Sequence, residues 1–367
     1  MFNANKISQA VAVALLALAA TTTAHAAKIE STTYTFDSTK FITDQFGGGA
    51  TNANNTVFAQ IEIDKFDRDL GVLTGASINL TSTRTLTTTV SVNAATDQGA
   101  NNTRSTTGSG SFAGTISTTA GTNNFPVVSQ SATCAANRDS ACTSTTGPVS
   151  ANQNVVQNAS ANALNNFAGT TNPTASLKAS TFSATQGASS FAGDESTTFT
   201  AQWAGTLDVT YTYLLHAAGS FNSTNQQSER VLDFGTVFQN AVDPVLNFRI
   251  FNIADADRVG LDFNSRNRSG DFMAFTSSFS SSSNLAQGGS RLFSAALDTK
   301  NLGSFNATYT FNLSDANVGA ASTRNDAFIT LNLTGNVVDR AAVPEPFSLA
   351  LLGIGLAGIA ASRRRKA

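Results

Sequence analysis

Residues 199–215 read Phe-Thr-Ala-Gln-Trp-Ala-Gly-Thr-Leu-Asp-Val-Thr-Tyr-Thr-Tyr-Leu-Leu. Every odd position from Phe199 to Leu215 is apolar, aromatic or glycine, and most even positions are polar. This is the period of two expected of a strand with one face in a core and the other in water. Strands usually run about 3–10 residues. The length of this run therefore predicts a bulge or a bend between two sheets at Gly205. Trp203 reads as core.

The same alternation recurs outward from this stretch. Val57, Ala59, Ile61 and Ile63 are expected on one face, opposite Phe58, Gln60, Glu62 and Asp64. Ala76, Ile78 and Leu80 alternate with Ser77 and Asn79, and Leu246, Phe248 and Ile250 with Asn247 and Arg249. Ala307 to Leu313 and Ile329 to Val337 repeat the pattern. Strands with one wet face and turn residues between them predict an all-β protein of antiparallel sheets packed as sandwiches. Two sandwich domains are expected, over 27–215 and 228–340. The polar run Gly219 to Gln227 reads as the linker between them. Residues 93–193 are rich in Ser, Thr, Asn, Ala and Gly with few large apolar residues. They predict weak strands with long, poorly ordered excursions.

Composition narrows the functions. Charged residues are 13% of the 367, and the chain holds only 2 His and 2 Cys against 26 Phe. A formal net charge of -2 gives no basic footprint for nucleic acid. Two Cys and two His do not build a usual Cys/His zinc site. Between Ala27 and Val343 there are 17 basic and 23 acidic residues, a mildly acidic body. Apolar runs lie only near the two ends, which excludes a polytopic membrane protein.

Residues 1–26 read as a secretory signal peptide. Lys6 supplies the positive start, Ala10 to Ala20 the apolar stretch, and Ala24-His25-Ala26 a cleavage site. His25 would leave with it, so His216 would be the single histidine of the mature chain. At the other end stand Pro344-Glu345-Pro346, then Phe347 to Ala361, apolar apart from Ser348, then Arg363, Arg364, Arg365 and Lys366. Fifteen helical residues span about 22 Å, short of a hydrocarbon core of about 30 Å. The basic cluster lengthens the reach by snorkelling and keeps the end cytoplasmic. This tripartite end resembles the PEP-CTERM sorting signal of Gram-negative bacteria. The resemblance implies recognition of Pro344, Glu345 and Pro346 by an exosortase after export by the secretion machinery. It also implies a transient stay in the inner membrane and release to the cell surface or a matrix. A permanent one-pass anchor through a helical tail is the alternative.

The stretch Phe66-Asp67-Arg68-Asp69-Leu70-Gly71-Val72-Leu73-Thr74-Gly75, with Tyr211-Thr212-Tyr213, resembles the choice-of-anchor E family over residues 27–215. Arg68 stands where that family's motif has a proline. The resemblance implies an exported β-rich module with no assigned catalytic residues. Asp67 or Asp69 is expected to cap the turn, with Gly71 and Gly75 permitting tight backbone around it. The second half, opened by Leu232 to Val237 and closed by Leu331 to Val337, is similar in pattern to immunoglobulin-like modules of exported bacterial proteins.

Few residues carry chemistry. Cys134 and Cys142 predict a disulfide in an oxidising compartment, with a redox pair as the alternative. No Gly-x-Ser-x-Gly elbow is present, and His216 reads as a surface or strand-edge residue. Composition leaves a two-carboxylate glycosidase open. Asp64, Asp67 and Asp69 form one acidic cluster, and Asp255, Asp257 and Asp262 another. Calcium at either cluster is the alternative to solvated turn carboxylates. No other cofactor is expected. The sum is a non-enzymatic structural or adhesive protein, exported to the surface or a biofilm matrix. A carbohydrate- or calcium-binding module is the alternative, with exopolysaccharide as a candidate partner, and a secreted hydrolase stands third.

Overall fold

The computed structural model describes residues 27–45, 50–93, 104–136, 140–187, 195–255, 257–340 and 354–356. The first half comprises β1 (Lys28–Gln45), β2 (Ala50–Asn52), β3 (Val57–Glu62), β4 (Val72–Val92), β5 (Arg104–Thr118), β6 (Gly121–Asn124), β7 (Val128–Ala136), β8 (Cys142–Thr145), β9 (Val149–Asn158), the helix α1 (Ala161–Phe167), β10 (Thr174–Gln186) and β11 (Glu195–Leu214). One sheet runs β1-β11-β4, with β8 and β9 sharing the far edge of β4. A second has β10 and β5 at its centre, flanked by β2 and β3 on one side and β6 and β7 on the other. The second half comprises β12 (Gly219–Ser220), β13 (Glu229–Phe238), β14 (Val245–Asn252), β15 (Leu261–Gly270), β16 (Phe275–Ser277), β17 (Ser282–Leu285), β18 (Ser290–Leu297), β19 (Gly303–Asp315) and β20 (Ala327–Val338). Its sheets run β12-β14-β18-β16 and β13-β20-β19-β15-β17.

The stretch that opens the sequence reading is the middle strand of the first sheet. β11 pairs with β1 over 18 residues without a shift, and Gly205 stays in register with Phe36 and with Ser82. The predicted break at Gly205 is absent, and the register shift falls at Thr212/Tyr213 instead. Gly205 serves close approach: a Cβ there would lie 2.3 Å from the Thr81 carbonyl oxygen.

The described residues within 93–193 form β5 to β10 and α1, more regular strand than expected, and their small residues explain why. Gly108, Gly110 and Gly114 of β5 face the large side chains of the opposite sheet. A methyl on Gly110 would lie 1.9 Å from the Phe199 ring, and one on Gly114 would lie 2.7 Å from the Trp203 indole. At these points β5 supplies the room that the rings of β11 fill. Trp203 sits at the centre, with the rings of Phe36, Phe58, Phe112 and Phe125 at centroid distances of 5.7–6.3 Å. Its indole N–H donates to Ser82 Oγ at 3.0 Å, which satisfies the polar end of a fully buried ring. In β3 a register irregularity opposite Leu177/Lys178 turns Phe58 inward and leaves Val57 exposed, while Ala59, Ile61 and Ile63 keep the expected core side and Gln60, Glu62 and Asp64 the exposed one.

Arg84 is wholly buried in this core. Its Nη1 donates to the Pro126 carbonyl at 3.1 Å, and its guanidinium lies over Phe112 and Phe125. Burial pushes its pKa down. The outer faces are polar and joined by hydroxyl pairs across strands. Ser31–Thr210, Thr89–Thr145, Thr107–Thr133 and Ser109–Ser131 each meet at 2.9–3.0 Å.

The second core is a phenylalanine stack. Phe248 of β14 and Phe293 of β18 meet Phe311 of β19 and Phe263 of β15 at 5.8–5.9 Å. Phe279 stacks on Phe311 at 4.4 Å. All strand pairs named here are antiparallel except β13 with β20, which is parallel. The run Gly219 to Gln227 is not a free linker. Gly219–Ser220 pairs with β14, Phe221 is buried in the second core, and Ser220 Oγ donates to the Asn225 carbonyl at 2.8 Å.

Cys134 of β7 and Cys142 of β8 are bonded, with their Cα atoms 6.0 Å apart. The bond joins one sheet of the first half to the other. Reducing it should lower stability by about 2–3 kcal/mol, read from denaturant unfolding with and without reductant. Gly110→Ala should lower stability by about 1–3 kcal/mol through the clash with Phe199. Gly147→Ala, where a Cβ meets nothing within 4 Å, should leave the thermal midpoint unchanged.

Candidate functional site

The turn between β3 and β4 carries the Phe66–Gly75 motif to the junction of the two halves. Phe66 is buried against Tyr211 and Tyr213, at 5.9 and 5.2 Å between ring centroids. Asp67 caps the turn, its Oδ1 accepting the Asp69 N–H at 2.9 Å. Gly71 is required by contact, because a Cβ there would lie 2.0 Å from the Leu214 carbonyl oxygen. Gly75 has ordinary clearance, its nearest neighbour lying 3.5 Å away. The strand then meets the second half directly. Leu73 and Ala321 exchange two backbone hydrogen bonds of 3.0 Å, and Ser322 Oγ donates to the Gly71 carbonyl at 2.7 Å.

His216 locks this junction. It lies just past the end of β11 and is 9% exposed, so of the expected surface or strand-edge positions it does not take the surface one. Its Nδ1 lies 2.7 Å from Asp315 Oδ2, at the end of β19, and its Nε2 lies 2.7 Å from the Arg68 carbonyl. Both neighbours are acceptors, so the site favours the form in which both ring nitrogens donate, the imidazolium. Burial pushes the His216 pKa down, but the hydrogen bonds to Asp315 and Arg68 outweigh it and hold the pKa above the usual value. Burial pushes Asp315 up, but His216 and the backbone N–H groups of Arg324 and Ala217 hold it below the usual carboxylate range. Those N–H groups each donate at 2.7 Å. Two further cations surround the pair. Arg324 donates to the Ala217 carbonyl at 2.8 Å, and Arg258 donates to the His216 carbonyl.

A cleft of about 440 Å³ opens beside this pair, lined among others by Asp69, Leu70, His216, Arg258, Arg324 and Phe328. Both nitrogens of His216 are engaged by Asp315 and the Arg68 carbonyl, so neither is directed to the cleft as a general base. Ser322, the nearby hydroxyl, is engaged with Gly71 and Leu73.

The two acidic clusters are spread among separate partners. Asp64 Oδ2 accepts from the Tyr34 hydroxyl at 3.0 Å. Asp255 caps Asp257, and Asp255 Oδ2 lies 3.9 Å from Arg258. Asp262 Oδ1 accepts the Asn284 N–H at 2.6 Å. Among the described residues no three His, Cys, Asp or Glu side chains gather as a metal site. Ala24, Ala26, Pro344, Glu345, Pro346, Arg363, Arg364, Arg365 and Lys366 lie outside the described residues. Residues 354–356 are helical, and no described helix is long and apolar enough to cross a membrane. Sequence reading missed Asp315, the partner of His216. Its one signal is a carboxylate closing the alternating run Ala307 to Leu313, where a strand end meets the next unit.

The contribution of His216 is fully present below its unfolded pKa of about 6.5 and fades as pH rises through its raised folded value. That of Asp315 is present above about 3.9 and fades as pH falls through its lowered folded value. Stability from the pair should therefore peak in mild acid and decline on the alkaline side. His216→Ala should cost about 3 kcal/mol, by stranding a buried carboxylate, and should flatten the alkaline decline. Thermal unfolding across pH of both proteins checks this.

Comparison with known proteins bears on the tail. No curated protein matches the chain. Among solved structures it is similar to an ASH/PapD-like domain of human CEP192, at 10% identity and TM-score 0.25, over 34% of this chain and 88% of that one. It is also similar to the Vibrio cholerae VesB protease, at 14% identity and TM-score 0.22, over 36% of this chain and 37% of that one. Likenesses at these scores carry no functional argument. The family model of the PEP-CTERM protein-sorting motif matches residues 342–366, so the chain ends in a signal for exosortase-dependent sorting of an exported protein.

Proposed function

We propose that this is a non-enzymatic structural or adhesive protein of a Gram-negative bacterium, held at the cell surface or released into a biofilm matrix after exosortase sorting. The single observation that carries the reading is the sorting motif at residues 342–366. In this reading Pro344, Glu345 and Pro346 are the recognition element, and Arg363 to Lys366 fix the topology during a transient stay in the inner membrane. The body is two β-sandwiches, the first of the choice-of-anchor E kind and the second immunoglobulin-like. The facing cores around Trp203 and Phe248 support the sandwich reading. The commitment of both His216 nitrogens supports a non-catalytic body.

A carbohydrate- or calcium-binding module is the second reading. The hydroxyl pairs across the outer faces favour it, since a flat, neutral, hydroxyl-rich surface suits a polysaccharide. Retention on an exopolysaccharide column, or a rise in thermal midpoint with millimolar calcium, would select it over a passive scaffold.

Deleting residues 344–367 should abolish normal sorting, with the body lost to the periplasm or medium. Unchanged localisation of the truncated protein would overturn the reading. Intact mass of the native protein should lack residues 1–26 and the segment beyond Pro346. A mass that retains Ala367 would mean a permanent anchor.

A further inference from the structure

Every sheet edge among the described residues is short, interrupted or bulged, except one. β12, β16 and β17 are edge strands of 2–4 residues. β2 and β3 share one edge, β6 and β7 another, and β8 and β9 a third. β13 carries a register shift at Asp233/Thr236. β1 runs 18 residues with no proline and no shift, and it pairs only with β11. Such an edge presents a row of free N–H and C=O groups, a template for another strand.

β1 also carries two large apolar residues on the outer, polar face of its sheet, Ile29 at 66% and Phe41 at 72% exposure. Their neighbours on β11 are Thr212 and Thr200. Lys40 and Glu30, on the other face, have no ion pair among the described residues. We infer that β1 is a homodimerisation edge, pairing antiparallel with β1 of a second copy about a two-fold axis through Thr35.

That register is selected by the sequence. It sets Lys40 opposite Glu30 twice, Phe41 opposite Ile29 twice, Tyr34 opposite Phe36 twice, and Asp37 opposite Thr33. Inner residues stay on the inner face, because the pairing joins even numbers to even. Sliding by one step one way sets Lys40 opposite Lys28. Sliding the other way sets Glu30 opposite Ile42. Like charges directly opposite destabilise a strand pair, while opposite charges and apolar pairs stabilise it. The inward charge on Lys40 therefore guards the edge against strands that do not offer a carboxylate at this position. The occupant is a second copy of this chain, and the two sheets become one continuous sheet across the axis. This inference is independent of how the protein is sorted.

The test uses the processed protein as exported. Sedimentation velocity across micromolar concentrations should show a monomer–dimer equilibrium. Lys40→Glu and Glu30→Lys should each weaken the dimer about tenfold, and mixing the two variants should restore it, because each then meets its opposite charge. Thr35→Cys should be captured as a dimer by a short bis-maleimide, and Thr39→Cys should not. Both substitutions lie at exposed positions of the outer face, and circular dichroism confirms that each variant is folded. A protein that stays monomeric throughout, equal capture at both cysteines, or a mixture no tighter than its components would each overturn the inference.

Discussion

The first half of the molecule depends on one steric exchange. Phe199 and Trp203 project from β11 into space that Gly110 and Gly114 of β5 leave open. Both sheets carry rings into this core, Phe58, Phe112 and Phe182 from the second and Phe199 and Trp203 from the first, and the glycines open room at the points where β5 faces the largest of them. The rings around Trp203 then add directional contacts, each of about 0.5–1.5 kcal/mol beyond the area they bury. The disulfide holds the same two sheets together near one end, where the buried residues shrink to Val90, Val92, Ala132 and Ala136. Aromatic bulk secures the middle and covalent linkage secures the margin.

The two halves are not joined as beads. Val72 belongs to the second core, although its strand belongs to the first sheet, and Ala321 of the second half is buried in the first core. Between these exchanged residues lies the imidazolium of His216, bonded to a carboxylate from one half and a carbonyl from the other. Such a pair is a weak source of net stability but a strong source of geometry, since any displacement strands two buried charges. The turn that bears Arg68 is thereby held against the second unit through its main chain, which leaves the side chain free to reach the Ala168 carbonyl.

The strands with large alternating residues were legible in the sequence, because period two survives wherever one face is buried. Trp203 as core, the run from Ala307 to Leu313 and the run from Leu246 to Ile250 all read directly. The strands between Arg104 and Gln186 read only as weak ones, and the reason is physical. Hydrophobic periodicity reports bulk, while the inner face of β5 alternates Gly108, Gly110 and Gly114 with only two large residues, Phe112 and Ile116, and its outer face is Ser and Thr, so much of its pattern lies in size rather than polarity. Alternation puts Phe58 on the outer face, whereas a local bulge shifts the phase by one residue there, which no alternation rule detects. Asp315 was invisible for a related reason. Its role is set by a partner 99 positions away, and nothing local distinguishes it from other strand-end carboxylates.

The outer faces hold one consequence. Many of their cross-strand contacts are between neutral groups, hydroxyl to hydroxyl or hydroxyl to amide, in a chain whose charged residues are only 13% of the total. Mobile ions screen interactions between exposed charges over a Debye length of about 8–10 Å, and they leave neutral hydrogen bonds largely untouched. The ion pair at the junction is buried, where screening is weakest. Much of the bonding across these surfaces is therefore of the kind that changes in ionic strength around an exported protein disturb least.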